Sequence, residues 1–383
     1  MKIYFNNLNG IRFLLAFMVI ILHTAAIKQH NGLPNYLSDA PYLYVAGEIA
    51  VSLFFTLSGF LITYYLLIEK QKTNTIQLRL FYFKRILRIW PLYFLAIILY
   101  WLIVPNLSMG TMLNDLPAQM TGKFVIFDEN ISWATAFTSY LFFIPQIAVI
   151  CSGLSNSTLY PAPHLWSIGV EELFYMTIPL VLWKARETVK TLSTLTVGYY
   201  FLPVVFLLLL KISNYKVFVF VLMFISVNSF CCMLLGSLSA YLYIHHSQKI
   251  IGYCNKYVAF TACAVFVFMI AKSIFFYWFV RELYCFLFCI IMIYAIENKT
   301  VLLENKVISY LGKISYGIYI YHNFAIAIIV YQIKKWSLDT SSLSTRIAVT
   351  LTITALTILI ATLSYEFFEK RFLKLKSETH ATQ

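Results

Sequence analysis

The sequence predicts an all-α polytopic membrane protein of about ten transmembrane helices, and three observations predict it. Of its 383 residues, 61% are hydrophobic and only 12% are charged, more apolar surface than a soluble fold of this size can bury. Apolar runs of roughly 17–25 residues, long enough to cross a bilayer as a helix, recur along the whole length. The alternation over about ten residues that marks membrane β-strands does not occur.

Taken in order, the apolar runs lie near 11–27, 43–68, 86–104, 133–151, 165–183, 192–210, 217–244, 257–271, 274–296, 310–333 and 347–368. The first, Ile11–Ile27, lacks the small-residue cleavage site of a leader peptide and reads as the first span. The fourth, "WATAFTSYLFFIPQIAVIC", is interrupted by Pro145 and dotted with Thr, Ser and Gln. Lys and Arg concentrate in cytoplasmic loops, so their distribution decides whether this run crosses. If it does not, the cationic segments 70–88, 184–190, 249–256, 299–306 and 370–376 all share the side of the N-terminus. If it does, the charges divide almost evenly. The sequence therefore reads as ten spans with both termini cytoplasmic and 133–151 re-entrant or interfacial. Residues 1–376 form one integral-membrane domain and 377–383 a short cytoplasmic tail. The longest connection, 105–132, is expected outside and carries Asp115, Asp128 and Glu129.

The net charge of +13 belongs to those loops, which makes the bilayer the partner and removes nucleic acid from consideration. Seven cysteines without CxxC spacing argue for inert thiols, not a disulfide framework or a zinc site. No metal is expected.

Ionisable residues inside spans are expensive and mark function. Arg12 and His23 are eleven positions apart in the first span. Eleven helical steps rotate about 1100°, ~20° from whole turns, and rise ~16 Å, so the two share one face. A snorkelling boundary cation is the plain alternative for Arg12, and a histidine hydrogen-bonded between helices is the alternative for His23. In "FYFKRILRIWPLYF", Arg85 and Arg88 are three apart and present two guanidinium forks on one helix face, an arrangement suited to phosphate. Lys84 is a topology marker. In "PHLWSIGVEELFY", His164, Ser167 and Glu171 fall on one face and Glu172 points ~100° away. In "YLGKISYGIYIYHNF", Ser315, Tyr319 and His322 form a polar stripe, with interhelical hydrogen bonding the competing role. Ser58-Gly59 reads as a close helix-packing point, and Arg281-Glu282 as a local or interhelical pair.

These pieces, in register from residue 6 to residue 372, resemble the acyltransferase-3 family of integral membrane acyltransferases, which includes bacterial O-antigen and other surface-polysaccharide O-acetylases. The matching stretches are "NNLNGIRFLLAFMVIILH", "FFTLSGFLI", "YFKRILRIWPLYF", "HLWSIGVEELFY", "LGKISYGIYIYH" and "SYEFFEKRF". Two positions depart from the family's pattern: Gly169 stands where serine is common, and Lys370 where proline is common.

The resemblance implies a multi-pass protein of the bacterial cytoplasmic (inner) membrane that transfers an acyl group, usually acetyl, to a hydroxyl of a glycan or lipid-linked saccharide. The donor it implies is acetyl-CoA, a substrate, with no tightly bound cofactor. Arg12, Arg85 and Arg88 then look like contacts to the acyl-CoA phosphates. His23 looks like the catalytic histidine, supported by Glu171 or Glu172, with His164, Ser167, Tyr319 and His322 at the acceptor side or in support. Direct attack by the acceptor hydroxyl and a covalent acyl-histidine both fit. A flippase for lipid-linked saccharides is the alternative, and it predicts repeat symmetry that the sequence lacks.

Overall fold

The computed structural model describes residues 5–35, 40–103, 132–155, 162–213, 216–274, 279–298 and 301–378. Among these, the regular structure is entirely helical. The chain runs through α1 (Asn6–His30), α2 (Pro41–Thr73) and α3 (Leu78–Ile98), which continues into a π turn at Leu99–Ile103. Two short helices follow, α4 (Trp133–Leu141) and α5 (Pro145–Ser155), then a 3₁₀ turn at Pro163–Leu165 that leads into α6 (Trp166–Lys184). Next come α7 (Thr188–Ser213), α8 (Lys216–Asn228), α9 (Phe230–His245), α10 (Ser247–Tyr253), α11 (Lys256–Ala271) and α12 (Phe279–Glu297). The last part holds α13 (Val301–Glu304), α14 (Lys306–Lys313), α15 (Ser315–Lys335), α16 (Leu343–Ser364), a π turn at Tyr365–Glu369, and α17 (Lys370–Glu378).

Eight helical stretches among the described residues are long and apolar enough to cross a membrane, and α10 with α11, bent by 57° at their junction, make a ninth. The remaining expected span is α12, 19 residues long and set apart by Arg281, Glu282 and Glu297. The doubtful run at 133–151 forms α4 and α5, of 9 and 11 residues. At 1.5 Å per residue each is under ~17 Å long, too short to cross. They part at Phe143, whose backbone is left-handed (φ 59°) and whose ring stacks on Tyr93 at 4.3 Å. The connection at 105–132 and the end of the tail lie outside the described residues, apart from Ser132, the N-cap of α4.

The core is the crossing of α2 with α9, flanked by α1 and α15. A Cβ on Gly59 would overlap the Met233 carbonyl, and one on Gly236 would overlap the Thr56 carbonyl. Only glycine at these two places lets the backbones approach, as small residues do in membrane bundles. Ser58-Gly59 is therefore a packing point, as its sequence suggested. Gly169 is a second: a Cβ there would lie 2.6 Å from Pro145 Cδ, so the absence of serine lets α5 seat against α6.

The seventh apolar run is broken between α8 and α9 at Ser229, also left-handed (φ 47°). The break is filled from α12: Arg281 donates to the Ser226 carbonyl (3.0 Å) and to Ser229 Oγ (2.8 Å) while pairing with Glu282 at 3.1 Å. The pair is thus both local and interhelical.

Candidate active site

The site has two stations. The first is a cavity of about 200 Å³ lined by Arg12 of α1, Arg85 and Arg88 of α3, Ser58 of α2, Ser167, Glu171 and Tyr175 of α6, and Ser315, Tyr316 and Tyr319 of α15. The three arginines predicted to act together are therefore brought to one space from two helices. Arg12 Nη1 donates to Asn9 Oδ1 at 3.3 Å, one turn back on α1. Arg85 lies over the rings of Tyr175 (5.1 Å) and Phe81 (5.6 Å), contacts that hold a guanidinium in an apolar wall. Arg88 is exposed and sits within electrostatic reach of Arg12 and of Glu369 in the second π turn. Glu171 accepts from the Tyr175 hydroxyl at 2.9 Å, and that hydroxyl also meets Ser58 Oγ.

The second station is a cluster of three histidines. His23 is half-buried, while His164 and His322 are buried. The rings of His23 and His322 stack at 4.8 Å, and His164 stands edge-on to His322 at 5.0 Å. The hydrogen bonds assign the tautomers. His322 Nδ1 lies 2.5 Å from the Tyr319 carbonyl, which can only accept, so Nδ1 carries the proton and Nε2 a lone pair. That Nε2 is 2.5 Å from His23 Nδ1, which must then be the donor. The lone pair of His23 is left on Nε2. His164 is held differently: its Nε2 donates to the Ile320 carbonyl (3.2 Å) and its Nδ1 accepts from Asn323 Nδ2 (2.9 Å). Both nitrogens of His164 are engaged, which suits it to holding the cluster in place. Among the described residues, no group of three or more His, Cys, Asp or Glu is placed to hold a metal.

Tyr319 belongs to both stations. Its ring lines the arginine cavity, and its hydroxyl donates to the His164 carbonyl (2.9 Å) and meets Ser167 Oγ at 2.7 Å. Its carbonyl orients His322. The first π turn supplies a second brace. Tyr100 donates to the Ile320 carbonyl (2.8 Å) and accepts from the Phe324 N–H (3.0 Å), so its hydroxyl is inserted into an i, i+4 pair of the α15 ladder. Such insertions and π turns are how helices are locally distorted at functional sites.

Arg12, Arg85, Arg88, Ser167, Glu171 and Tyr319 line the cavity; His23, His164 and His322 form the cluster. Glu172 turns toward α3, as its ~100° offset implies: Trp90 Nε1 donates to Oε2 at 3.3 Å, and the buried Oε1 has no hydrogen-bond partner among the described residues. The sequence put Glu171 beside the His23 imidazole, but the place at Nδ1 is taken by His322. Glu171 instead sits four residues before its partner Tyr175. Sequence reasoning missed Ser58, Tyr100, Tyr175, Asn323 and Glu369. The i, i+4 spacing of Glu171 and Tyr175 was a usable signal, as was Asn323 directly after His322; Tyr100 and Glu369 had none.

A helical bundle with multiple membrane-crossing helices, an arginine-lined cavity and a buried histidine cluster is an integral membrane protein with an internal polar site. Within that class the chain belongs to the acyltransferase family described as "Acyltransferase domain", acyltransferase-3, whose profile matches residues 5–105 and 130–366. The chain is 26% identical over 200 residues to the O-acetyltransferase OatA of Staphylococcus aureus (strain NCTC 8325 / PS 47), covering 49% of this chain and 27% of that protein. It is 30% identical over 156 residues to an uncharacterized protein of Haemophilus influenzae, covering 40% of this chain and 57% of that one. The chain thus spans about a quarter of the length of the staphylococcal protein. No solved structure matches it.

Proposed function

We propose that the protein is a membrane O-acetyltransferase that moves an acetyl group from acetyl-CoA to a hydroxyl of a glycan or lipid-linked saccharide, with donor and acceptor entering from opposite ends of the bundle. The observation that carries this reading is the relay from the Tyr319 carbonyl through His322 to His23, which presents His23 Nε2 as a base. Family membership and the O-acetyltransferase name of a distant relative support the reaction class.

In this reading Arg12, Arg85 and Arg88 hold the donor's phosphates, since guanidinium forks match phosphate oxygens. Tyr319 and Ser167 stand between that cavity and the histidines. His23 Nε2 takes the proton of the acceptor hydroxyl as its oxygen attacks the thioester carbon. The C–O ester bond forms, the C–S bond breaks, and the imidazolium returns the proton to the departing thiolate. His322 stabilises the transient charge through its hydrogen bond, as an orienting group does for a catalytic histidine. The cytoplasmic placement of the arginine end follows the positive-inside distribution of Lys and Arg.

The test is acetyl transfer by the purified, reconstituted chain, together with mass spectrometry of the host's surface glycans. His23→Ala is expected to lower turnover by on the order of 10²–10⁴ while the protein inserts and folds normally; full activity would remove His23 from the mechanism. His322→Ala is expected to lower kcat and shift the pH profile with the donor KM unchanged, which a purely structural histidine would not do. Arg88→Ala is expected to raise the donor KM.

A further inference from the structure

One acidic side chain, Glu171, shares the cavity with Arg12, Arg85 and Arg88, and a carboxylate has no part in binding phosphate. Arg85 and Arg12 lie within its electrostatic reach. The hydrogen bond it makes is nevertheless to a neutral group: Tyr175 donates to Oε2 at 2.9 Å, with the Ser58 hydroxyl beside that of Tyr175. A carboxylate offers about four acceptor sites, so acceptor capacity is left toward the cavity. α6 sets this carboxylate at a defined depth. His164, Ser167, Glu171 and Tyr175 follow one another at spacings of three, four and four, which makes them one stripe along the helix. The stripe rises ~16 Å from the histidine cluster to the ring over which Arg85 lies, the same rise that separates Arg12 from His23 on α1. Glu171 stands in the middle of it, about 6 Å along the axis from Ser167 on one side and from Tyr175 on the other.

Like charges repel at short range, so the part of a ligand that meets Glu171 is not one of its phosphates. It is a group that gives a proton to the carboxylate, an N–H or an O–H. We propose that Glu171 is a specificity-determining residue for the donor: it accepts a hydrogen bond from an amide N–H of the arm that links the donor's phosphates to its thioester. The inference rests on the proposed use of acetyl-CoA, whose pantetheine arm carries two secondary amides. Phosphates at the arginines and a thioester at the histidines lay that arm along the α6 stripe, with Glu171 at its middle. Tyr175 and Ser58 hold the carboxylate in place. The Ser167 hydroxyl, one turn nearer the histidines, offers a donor for an arm carbonyl. Such a bond discriminates, because a charged acceptor deprived of its donor costs more than a neutral one. A nucleotide with phosphates but no amide arm is therefore disfavoured against CoA.

The experiment reads binding and so needs no acceptor. The full chain in detergent is titrated at constant ionic strength, and Kd is taken from the rise in Tm with ligand concentration. The probes are CoA, adenosine bisphosphate (phosphates without the arm), and two CoA analogues in which one or the other amide N–H is replaced by an ester oxygen. In the parent, at least one ester analogue is expected to bind about tenfold more weakly than CoA or worse, because the ester turns a lone pair toward the carboxylate. Glu171→Gln, whose amide both donates and accepts, is expected to bring that difference below about threefold. The same variant is expected to weaken CoA relative to adenosine bisphosphate about fivefold or more. If Glu171→Gln does not fold, Glu171→Asp, which keeps the charge and withdraws it by one methylene, goes through the same titrations with the same expectation. The inference is overturned if both ester analogues bind the parent as CoA does or if their loss is the same in parent and variant. It is also overturned if the variant shifts CoA and adenosine bisphosphate alike, which would make Glu171 a counter-charge to the arginines. A parent that binds CoA without this coupling loses the inference and keeps the donor site; a parent that does not bind CoA loses both.

Discussion

α2 and α7 have nearly the same mean hydropathy, yet 72% of the spanning window of α2 is buried inside the protein and only 11% of that of α7. Apolarity in this chain therefore reports the bilayer and not the core, because lipid tails are as apolar as the side chains they touch. What distinguishes α2 is its small and hydroxylated face. Gly59 admits the α9 backbone, Thr63 donates to Ser237 Oγ at 2.8 Å, and Ser58 reaches the cavity. α7 turns Val197, Phe201, Val205 and Leu208 outward, each about half exposed. The helices that build the site are those that give up bulk for contact, and the peripheral ones keep it.

The sharpest way to break this contrast is to add bulk on each helix. Gly59→Val drives a side chain into the Met233 backbone, which cannot retreat, and is expected to cost on the order of 5 kcal/mol, enough to abolish folded protein on size exclusion. Gly198→Ala in α7 meets nothing within 4 Å and is expected to be neutral or to raise the unfolding temperature slightly, since alanine is the better helix former. Equal losses at the two glycines would end the comparison.

A second effect is expected where α12 fills the break between α8 and α9. Arg281→Leu leaves Glu282 unpaired, with the carboxylate side chain only 12% exposed, and is expected to cost about 3 kcal/mol. Replacing both charges by leucine is expected to recover most of the loss in the same unfolding assay, since the penalty lies in the orphaned charge. Smaller still, Thr63→Val removes one hydroxyl bond between α2 and α9 and is expected to cost about 0.6–1 kcal/mol. At the bottom of the scale, Phe201→Leu on the outward face of α7, 55% exposed, is expected to stay within about 0.5 kcal/mol.

Much of the site was legible because helical spacing is a local property. Arg85 and Arg88, His164 with Ser167, and Tyr319 with His322 could be assigned to faces by counting residues, and the faces hold. Counting turned Glu172 ~100° from the Glu171 face, yet the resemblance kept it among the carboxylates expected to support His23, and its partner in the fold is Trp90 of α3. Counting failed for Glu171, because which residue meets an imidazole depends on how two helices rotate against each other, and α15 brings His322 there first. It failed too for Tyr100 and Glu369, whose positions depend on π turns that shift the register of α3 and α16.

The sequence by itself determined the helical membrane class, the broken run at 133–151, the arginine face of α3 and the histidine on the face of Arg12. Those follow from hydropathy, proline and a period of 3.6 residues, none of which needs a second helix. The tertiary structure alone decided the partner of His23, the tautomer that leaves its Nε2 unprotonated, and the role of Tyr319 in both stations. Each of these is a contact between elements distant in the chain, made where glycines let helices close to hydrogen-bonding distance, and no local pattern encodes it.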